Sequence, residues 1–411
     1  MTAIGRADRS AESAPASQQG MRRQNLAAVT GAVAAHGPLS RADVAGHTGL
    51  TRPAVSSLVD ELIGRAALTE TQTAPSGRVG RPGRALALND RGPAGLGLEI
   101  GVTHLAACVV DLRGEPRVWR RVERANAGRP AGQVLAEAAA LGADAESEAA
   151  ALGLRVEGRV LAVPGVVPNA PGGLVTHAPN LGWHDVRPAD HWPDPDTVPE
   201  PENEANLGAL AEQRQRGQSA ETFVHVSAEA GIGAALVIDG RLFRGARGFA
   251  GELGHLPVHP DGAPCPCGAR GCLEQYAGER AVLREAGLDE AGLGDAGDPV
   301  AVLAGRARAG DPATLRALDR AGRALGLALT SAVDLIDPDA LVLGGAYAEL
   351  ADWLLPPLRA ELAARVTVRP WAPEAVRPSS LGRGGPVLGA AWSTVQRIIA
   401  DPTRLPVRQA G

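Results

Sequence analysis

Three cysteines and a histidine stand close together in the stretch HLPVHPDGAPCPCGARGCLEQ: His255, Cys265, Cys267 and Cys272. Thiolate and imidazole are soft or borderline donors, and three of one with one of the other make the ligand set of a closed structural zinc site. The surrounding prolines and glycines allow the loop to fold all four onto one centre. A disulfide is the competing chemistry, but Cys265 and Cys267 are separated by a single residue and a reducing compartment disfavours it. The fourth cysteine, Cys108, lies in an apolar run and reads as core.

A second chemistry is written near the N-terminus. Leu26, Val29 and Val33 recur at helical spacing between Asn25 and His36, and Gly37-Pro38 ends that helix. Ser40 followed by Asp43 has the spacing of a capping box, so a second helix runs to about His47. Thr48-Gly49-Leu50 is a tight turn. Thr51 then caps a third helix, with Pro53 in its first turn and Val55, Leu58, Val59 and Leu62 as its apolar stripe. Two short helices around a glycine turn are a helix-turn-helix, or else a hairpin used only for packing. The segment SGRVGRPGRALALN, with Arg78, Arg81 and Arg84 among glycines before a strand at Ala85–Leu88, favours the former. It reads as a basic wing able to enter a minor groove, the alternative being a solvated loop. Arg52, Ser56 and Ser57 are the groove-facing positions of the third helix. Double-stranded DNA is the expected partner.

These elements sit in a chain of 411 residues, long enough for two or three domains. Hydrophobic residues make up 45% and charged residues 21%, which excludes a largely disordered or fibrous chain. No apolar run approaches the ~18 residues of a spanning helix, and the N-terminus has no apolar segment after its charges, so neither a membrane anchor nor a secretory signal is expected. A cytoplasmic location follows. All 41 basic residues are arginine, a compositional bias from which nothing functional is drawn. Residues 1–92 carry eleven arginines against seven acids, the remainder thirty against thirty-nine, so a basic module precedes an acidic body. Residues 1–20 read as a disordered tail, with Met21 an alternative start, and residues 21–92 as the winged helix-turn-helix. Residues 93–411 form the body. Strand patterns at Leu96–Ile100 and Leu105–Leu112 and the later alternation of strands and helices make it α/β. The proline-rich, acidic stretch Asp185–Glu202 reads as a surface excursion.

The order of motifs resembles the ROK family of repressors, open reading frames and sugar kinases: EIGVTHLAACVVDLRG at Glu99, HAPNLGWHDV at His177, ENEANLGALAE at Glu202, AGIGAALVIDGRLFRGARGFAGELGH at Ala230, the cysteine box, and LVLGG at Leu341. The resemblance covers about residues 22–400 and implies a two-lobed, actin-like and hexokinase-like body with a sugar in the cleft between lobes. Carried over, the sugar site comprises Asn180, Asn203, Glu204, Glu252, His255 and Glu274, with His255 shared between the sugar and the metal. Amides and carboxylates suit a ring of hydroxyls, since each accepts or donates several hydrogen bonds.

Three places depart from the family's kinases. Glu204 stands where they have Asp, moving the base by one methylene. Val102 in Glu99–His104 puts a branched side chain where backbone must approach phosphate. Glu229 replaces a glycine of the second phosphate loop, aiming a carboxylate at a triphosphate. The expectation is a DNA-binding regulator, most simply a repressor released by a monosaccharide, acting as a homodimer or higher oligomer and not as an enzyme. The replacements at Glu204 and Glu229 resemble those of the family's xylose repressors, which makes a pentose or related sugar the first expectation for the inducer. A sugar kinase with a fused DNA-binding module is the alternative, and a regulator answering to a partner protein is a third reading.

Overall fold

The computed structural model describes residues 18–71, 84–217, 220–229, 231–288 and 298–407. They fall into two compact units, one reaching to Pro93 and including the chain from Gln396 onward, the other spanning Ala94–Val395.

The first unit begins with α1 (Gln18–His36), α2 (Arg41–Thr48) and α3 (Arg52–Gly64). Ser40 and Asp43 form the reciprocal capping box at the start of α2. Gly49 closes that helix with φ +69°, a conformation that costs glycine nothing. Thr51 accepts from the Ala54 N–H at the start of α3. Leu26, Val29, Val44, Val55, Val59 and Leu62 are fully buried, so each helix turns the anticipated stripe inward. β1 (Leu68–Thr71) pairs antiparallel with β2 (Ala85–Leu88). Arg78 and Arg81 lie outside the described residues.

Two boundaries differ from expectation. α1 starts at Gln18, inside the segment read as a tail, because Arg22 pairs with Glu61 and Arg23 lies 3.4 Å from Asp401. The chain's last described residues, expected to belong to the body, are grouped with this unit. Leu405 is fully buried, and Arg65 donates to the Thr403 carbonyl (3.4 Å) and to that of Leu405.

The second unit holds two five-stranded sheets of the same order. In the first, β3 (Gly92–Ile100), β4 (His104–Asp111) and β5 (Pro116–Glu123) form an antiparallel meander. It is extended on the β3 side by β6 (Leu154–Val163) and then by β9 (Glu200–Asn203), which runs parallel to β6. In the second, β10 (Phe223–Ala228), β11 (Ile232–Ile238) and β12 (Arg241–Phe243) form the meander. Parallel strands β13 (Ala340–Gly345) and β14 (Val376–Pro378) complete it. Each sheet has its own apolar core, and β7 (Val175–Ala178) and β8 (Trp183–Val186) form a small hairpin against the first. The segment 185–202 is not wholly a surface excursion. Trp192 is buried, and Glu200–Asn203 is an edge strand of the first sheet, where Pro201 is tolerated because an edge position needs no N–H.

The helices of this unit are α4 (Ala131–Ala151), α5 (Glu204–Gln215), α6 (Glu274–Ala277), α7 (Glu279–Glu285), α8 (Pro299–Arg308) and α9 (Pro312–Ile336). They are followed by α10 (Ala346–Glu349), α11 (Ala351–Arg365) and α12 (Gly385–Ala400). No helix among the described residues is long and apolar enough to cross a membrane.

Candidate functional site

Strand ends and helix starts converge on a cavity of about 330 Å³ in the second unit. Asn180, Asn203, Glu204, Glu252, His255 and Glu274 all line it. Six polar side chains drawn from four separate stretches of sequence thus meet around one hollow, which is what recognition of a small polyhydroxylated molecule requires.

Each is positioned by local chemistry. Asn203 ends β9 and caps α5: its Oδ1 accepts from the Ala205 and Asn206 N–H groups (2.9 and 3.2 Å), and its Nδ2 donates to the Gly165 carbonyl at 2.9 Å. Most of its hydrogen-bonding capacity is therefore used by the protein, a role its place in the motif did not reveal. Glu204 follows as the first residue of α5 and is buried. Burial, with Glu229 and Glu99 adding like charge, raises its carboxyl well above the usual carboxylate range. Glu274 Oε2 accepts from the Ile232 N–H at 3.3 Å. A side chain at Gly231 would meet both Glu274 and the Asn180 amide, so only glycine lets them approach here. Glu252 is raised by burial, against the opposing effect of His255, whose Nε2 is 3.9 Å from its carboxylate.

His255 also belongs to the cysteine cluster. One ligand atom from each of His255, Cys265, Cys267 and Cys272 lies within 4.8 Å of all the others. Cys265 and Cys272 are buried, Cys267 and His255 exposed. The loop is held by hydrogen bonds from Cys265 N–H to Ala269 O and from Gly268 N–H to Cys265 O, and by the Tyr276 hydroxyl, which accepts from Ala263 N–H at 3.0 Å. Cys267 Sγ and Cys272 Sγ are 3.7 Å apart. Tetrahedral thiolates with bonds of ~2.3 Å would be separated by ~3.8 Å, so the spacing fits a metal ion. Cys108 is apart from this group, fully buried in β4 with its thiol pushed up to about 12 by burial, and it is inert as expected.

A set of charged groups lies beside the cavity. The His104 imidazole folds over the turn after β3, where any side chain on Gly101 would strike it, and its Nε2 is 3.2 Å from Glu99 Oε1 with both side chains 2% exposed. Val102 instead packs against the first sheet's core, so the turn is filled by His104 and not by the branched residue. Glu229, at the end of β10, is pushed up to about 7 by burial, Arg383 opposing and Glu99 adding to the rise. Arg383 is itself bound to Asp298 and Glu349, each at 3.0 Å. The folded chain thus holds the Glu229 proton more tightly than the unfolded chain, whose carboxyl titrates near its ordinary 4.5. Stability from this group is present below that value and lost as pH rises towards 7. Glu229→Gln is expected to flatten the melting temperature between about pH 5 and pH 8 and to raise it at the alkaline end. Parallel melting curves for the two proteins would place the carboxyl in water instead.

In the first unit, Arg52 and Ser57 are exposed on α3 and Ser56 half-buried. Arg84 is also exposed, but Glu70 holds it at 2.7 Å and Arg41 at 2.6 Å, a pairing with no warning in the motif. His177, Asn206, Gln275, Arg280 and Arg284 also line the cavity and were not anticipated. The four-residue spacing of the two arginines on a helix was the available signal.

Residues 95–397 match the family described as "ROK family". The chain belongs to the ROK family. A ROK member named xylose repressor, from Bacillus subtilis (strain 168), is 28% identical over 368 residues, covering 88% of this chain and 92% of that protein. The crystal structure of a ROK family transcriptional regulator, described as a homologue of the E. coli MLC protein, superposes with a TM-score of 0.74 at 25% identity. It covers 94% of this chain and 98% of its own. A ROK family glucokinase from Streptomyces griseus, solved with glucose and AMPPNP, gives a TM-score of 0.61 at 28% identity, covering 74% and 99%. The ROK actin-like α/β fold, with a helical N-terminal region, is thereby established for this chain.

Proposed function

We propose that this ROK protein is a sugar-responsive transcriptional repressor without kinase activity. In this reading the first unit is a winged helix-turn-helix acting on double-stranded DNA, and the cavity of the second takes a monosaccharide effector, xylose being the first candidate. The observation that carries it is the convergence of Asn180, Asn203, Glu204, Glu252, His255 and Glu274 on one cavity, in a chain similar over nearly its whole length to a named repressor. Arg52, Ser56 and Ser57 on α3 would face the groove, with Arg78, Arg81 and Arg84 in the wing.

Zinc is the ion best suited to His255, Cys265, Cys267 and Cys272; held there, it would fix the loop carrying His255 beside the sugar. Against phosphoryl transfer stand two features: burial raises the carboxyl of Glu204 well above the usual carboxylate range at the position the kinases give to a base, and the acceptor side chains Glu99 and Glu229 stand where, by the family resemblance, a triphosphate would need donors. The likeness to a glucokinase keeps one competing reading, a kinase with a fused DNA-binding unit. A homodimer in the cytoplasm, reading two half-sites, completes the proposal.

The test is to select binding sites for the full, zinc-replete chain from random duplex DNA and then to titrate the complex with xylose, glucose and ATP. Release by a sugar and no turnover of ATP is the expected result. Sugar phosphorylation at ~1–100 per second would make the chain a kinase. Failure to select any sequence would remove the DNA-binding role.

A further inference from the structure

The cysteine cluster is not evenly protected from solvent. Cys265 and Cys272 are buried, whereas Cys267 is exposed and, with Cys265 and Pro266, lines the cavity. In the turn that follows, Gly268 takes φ +93° and Gly271 φ +69°, and a side chain on Gly271 would strike the His259 carbonyl. Glycine at these positions lets the chain double back, which leaves Cys267 Sγ and Cys272 Sγ 3.7 Å apart. A disulfide needs ~2.05 Å between its sulfurs, so a small displacement would join the pair. Cys265 is engaged elsewhere: its sulfur accepts from Gln275 Nε2 at 3.7 Å, and its backbone bonds Ala269 and Gly268. Cys108 is fully buried in β4.

A thiolate is both the metal ligand and the nucleophile, so an exposed ligand sulfur is open to an oxidant arriving from solvent. We propose that Cys267 and Cys272 form a peroxide-responsive pair, whose oxidation to a disulfide dismantles the metal site and loosens the cavity wall beside it. The oxidant is a hydroperoxide, hydrogen peroxide being the simplest. Cys267 Sγ attacks one peroxide oxygen; the S–O bond forms as the O–O bond breaks, and hydroxide leaves behind a sulfenic acid. Cys272 Sγ then attacks that sulfur; the S–S bond forms as the S–O bond breaks, and a second hydroxide leaves. Both hydroxides take protons from solvent, so two thiolates have lost two electrons and one peroxide has become two waters. His255 and Cys265 alone no longer make a closed site. A thiol reductant reverses the change. The inference rests on the ligand set proposed above and adds a control to it.

The test treats the full, zinc-loaded chain with a slight excess of hydrogen peroxide. Released zinc is read with a chromogenic chelator, and the sulfurs by alkylation of the denatured chain and peptide mass mapping. The expected result is release of about one zinc ion per chain, a fall from four alkylated cysteines to two, and a Cys267–Cys272 cross-link. Dithiothreitol with added zinc is expected to restore both metal and thiols. Zinc and all four thiols retained under peroxide would overturn the inference and leave the ligand set standing. An untreated chain that takes up no zinc would overturn both. Zinc release with any other cross-link, or with sulfinic acid and no cross-link, would also overturn it, since Cys267 and Cys272 would then not act as a pair.

Discussion

Cys272→Ser should strip the metal from the chain and take most of the sugar affinity with it. Cys272 is fully buried and its sulfur is 3.7 Å from that of Cys267, so no nearby group can replace it as a ligand. A serine hydroxyl is a poor ligand for an ion that prefers thiolates, and a site of four donors reduced to three loses the closed geometry. His255 would then be tied only to its own short turn, and the wall formed by Glu252, His255 and Cys265 would loosen. Metal content by mass spectrometry is expected to fall from about one ion per chain to near zero, with a clear loss of sugar affinity as the loop that carries His255 loosens. A Cys272→Ser protein that keeps its full metal content would refute the ligand set, and one that loses metal but binds sugar normally would separate the two sites.

Asn203→Ala should abolish the response to sugar while leaving DNA binding intact. Three hydrogen bonds are lost together: two that cap α5 and one that fixes the turn carrying Gly165. A lost cap costs ~1 kcal/mol, and a buried donor or acceptor left without a partner ~1–3 kcal/mol. Since Glu204 begins that helix and Gly165 lines the cavity, the damage falls on the site, and sugar affinity is expected to drop ~10- to 100-fold. Asn203→Asp separates the two jobs, because it keeps the capping oxygen but turns a second oxygen towards the Gly165 carbonyl in place of the donor; α5 is expected to stay capped while sugar affinity falls. An Asn203→Ala protein that sugar still fully releases from DNA would show that this residue is not part of the site.

What could be read in advance was what local rules decide. Ser40, Gly49 and Thr51 announce the ends of two helices because caps and left-handed turns are chosen by single side chains. The cysteine box announces its cluster because ligand types and close spacing leave few other chemistries. The strand at Glu200–Asn203 was hidden because four residues with a proline carry no period, and only the neighbouring β6 makes them a strand. Glu204 and Glu229 were visible as carboxylates, but the upward shift of both comes first from burial and then from charges far along the chain, Glu99 for both and Arg383 for Glu229, which only the fold brings near.

The grouping of the residues after Gln396 with those before Pro93 has a consequence during synthesis. The segment that buries Leu405 and satisfies Arg65 is translated about three hundred residues after the helices it completes. At ~5–20 residues per second that is a delay of ~15–60 s, during which the N-terminal helices exist without their final closing piece. A premature stop near the 3′ end of the message would therefore be expected to remove contacts from the N-terminal unit while leaving every residue that lines the cavity in place.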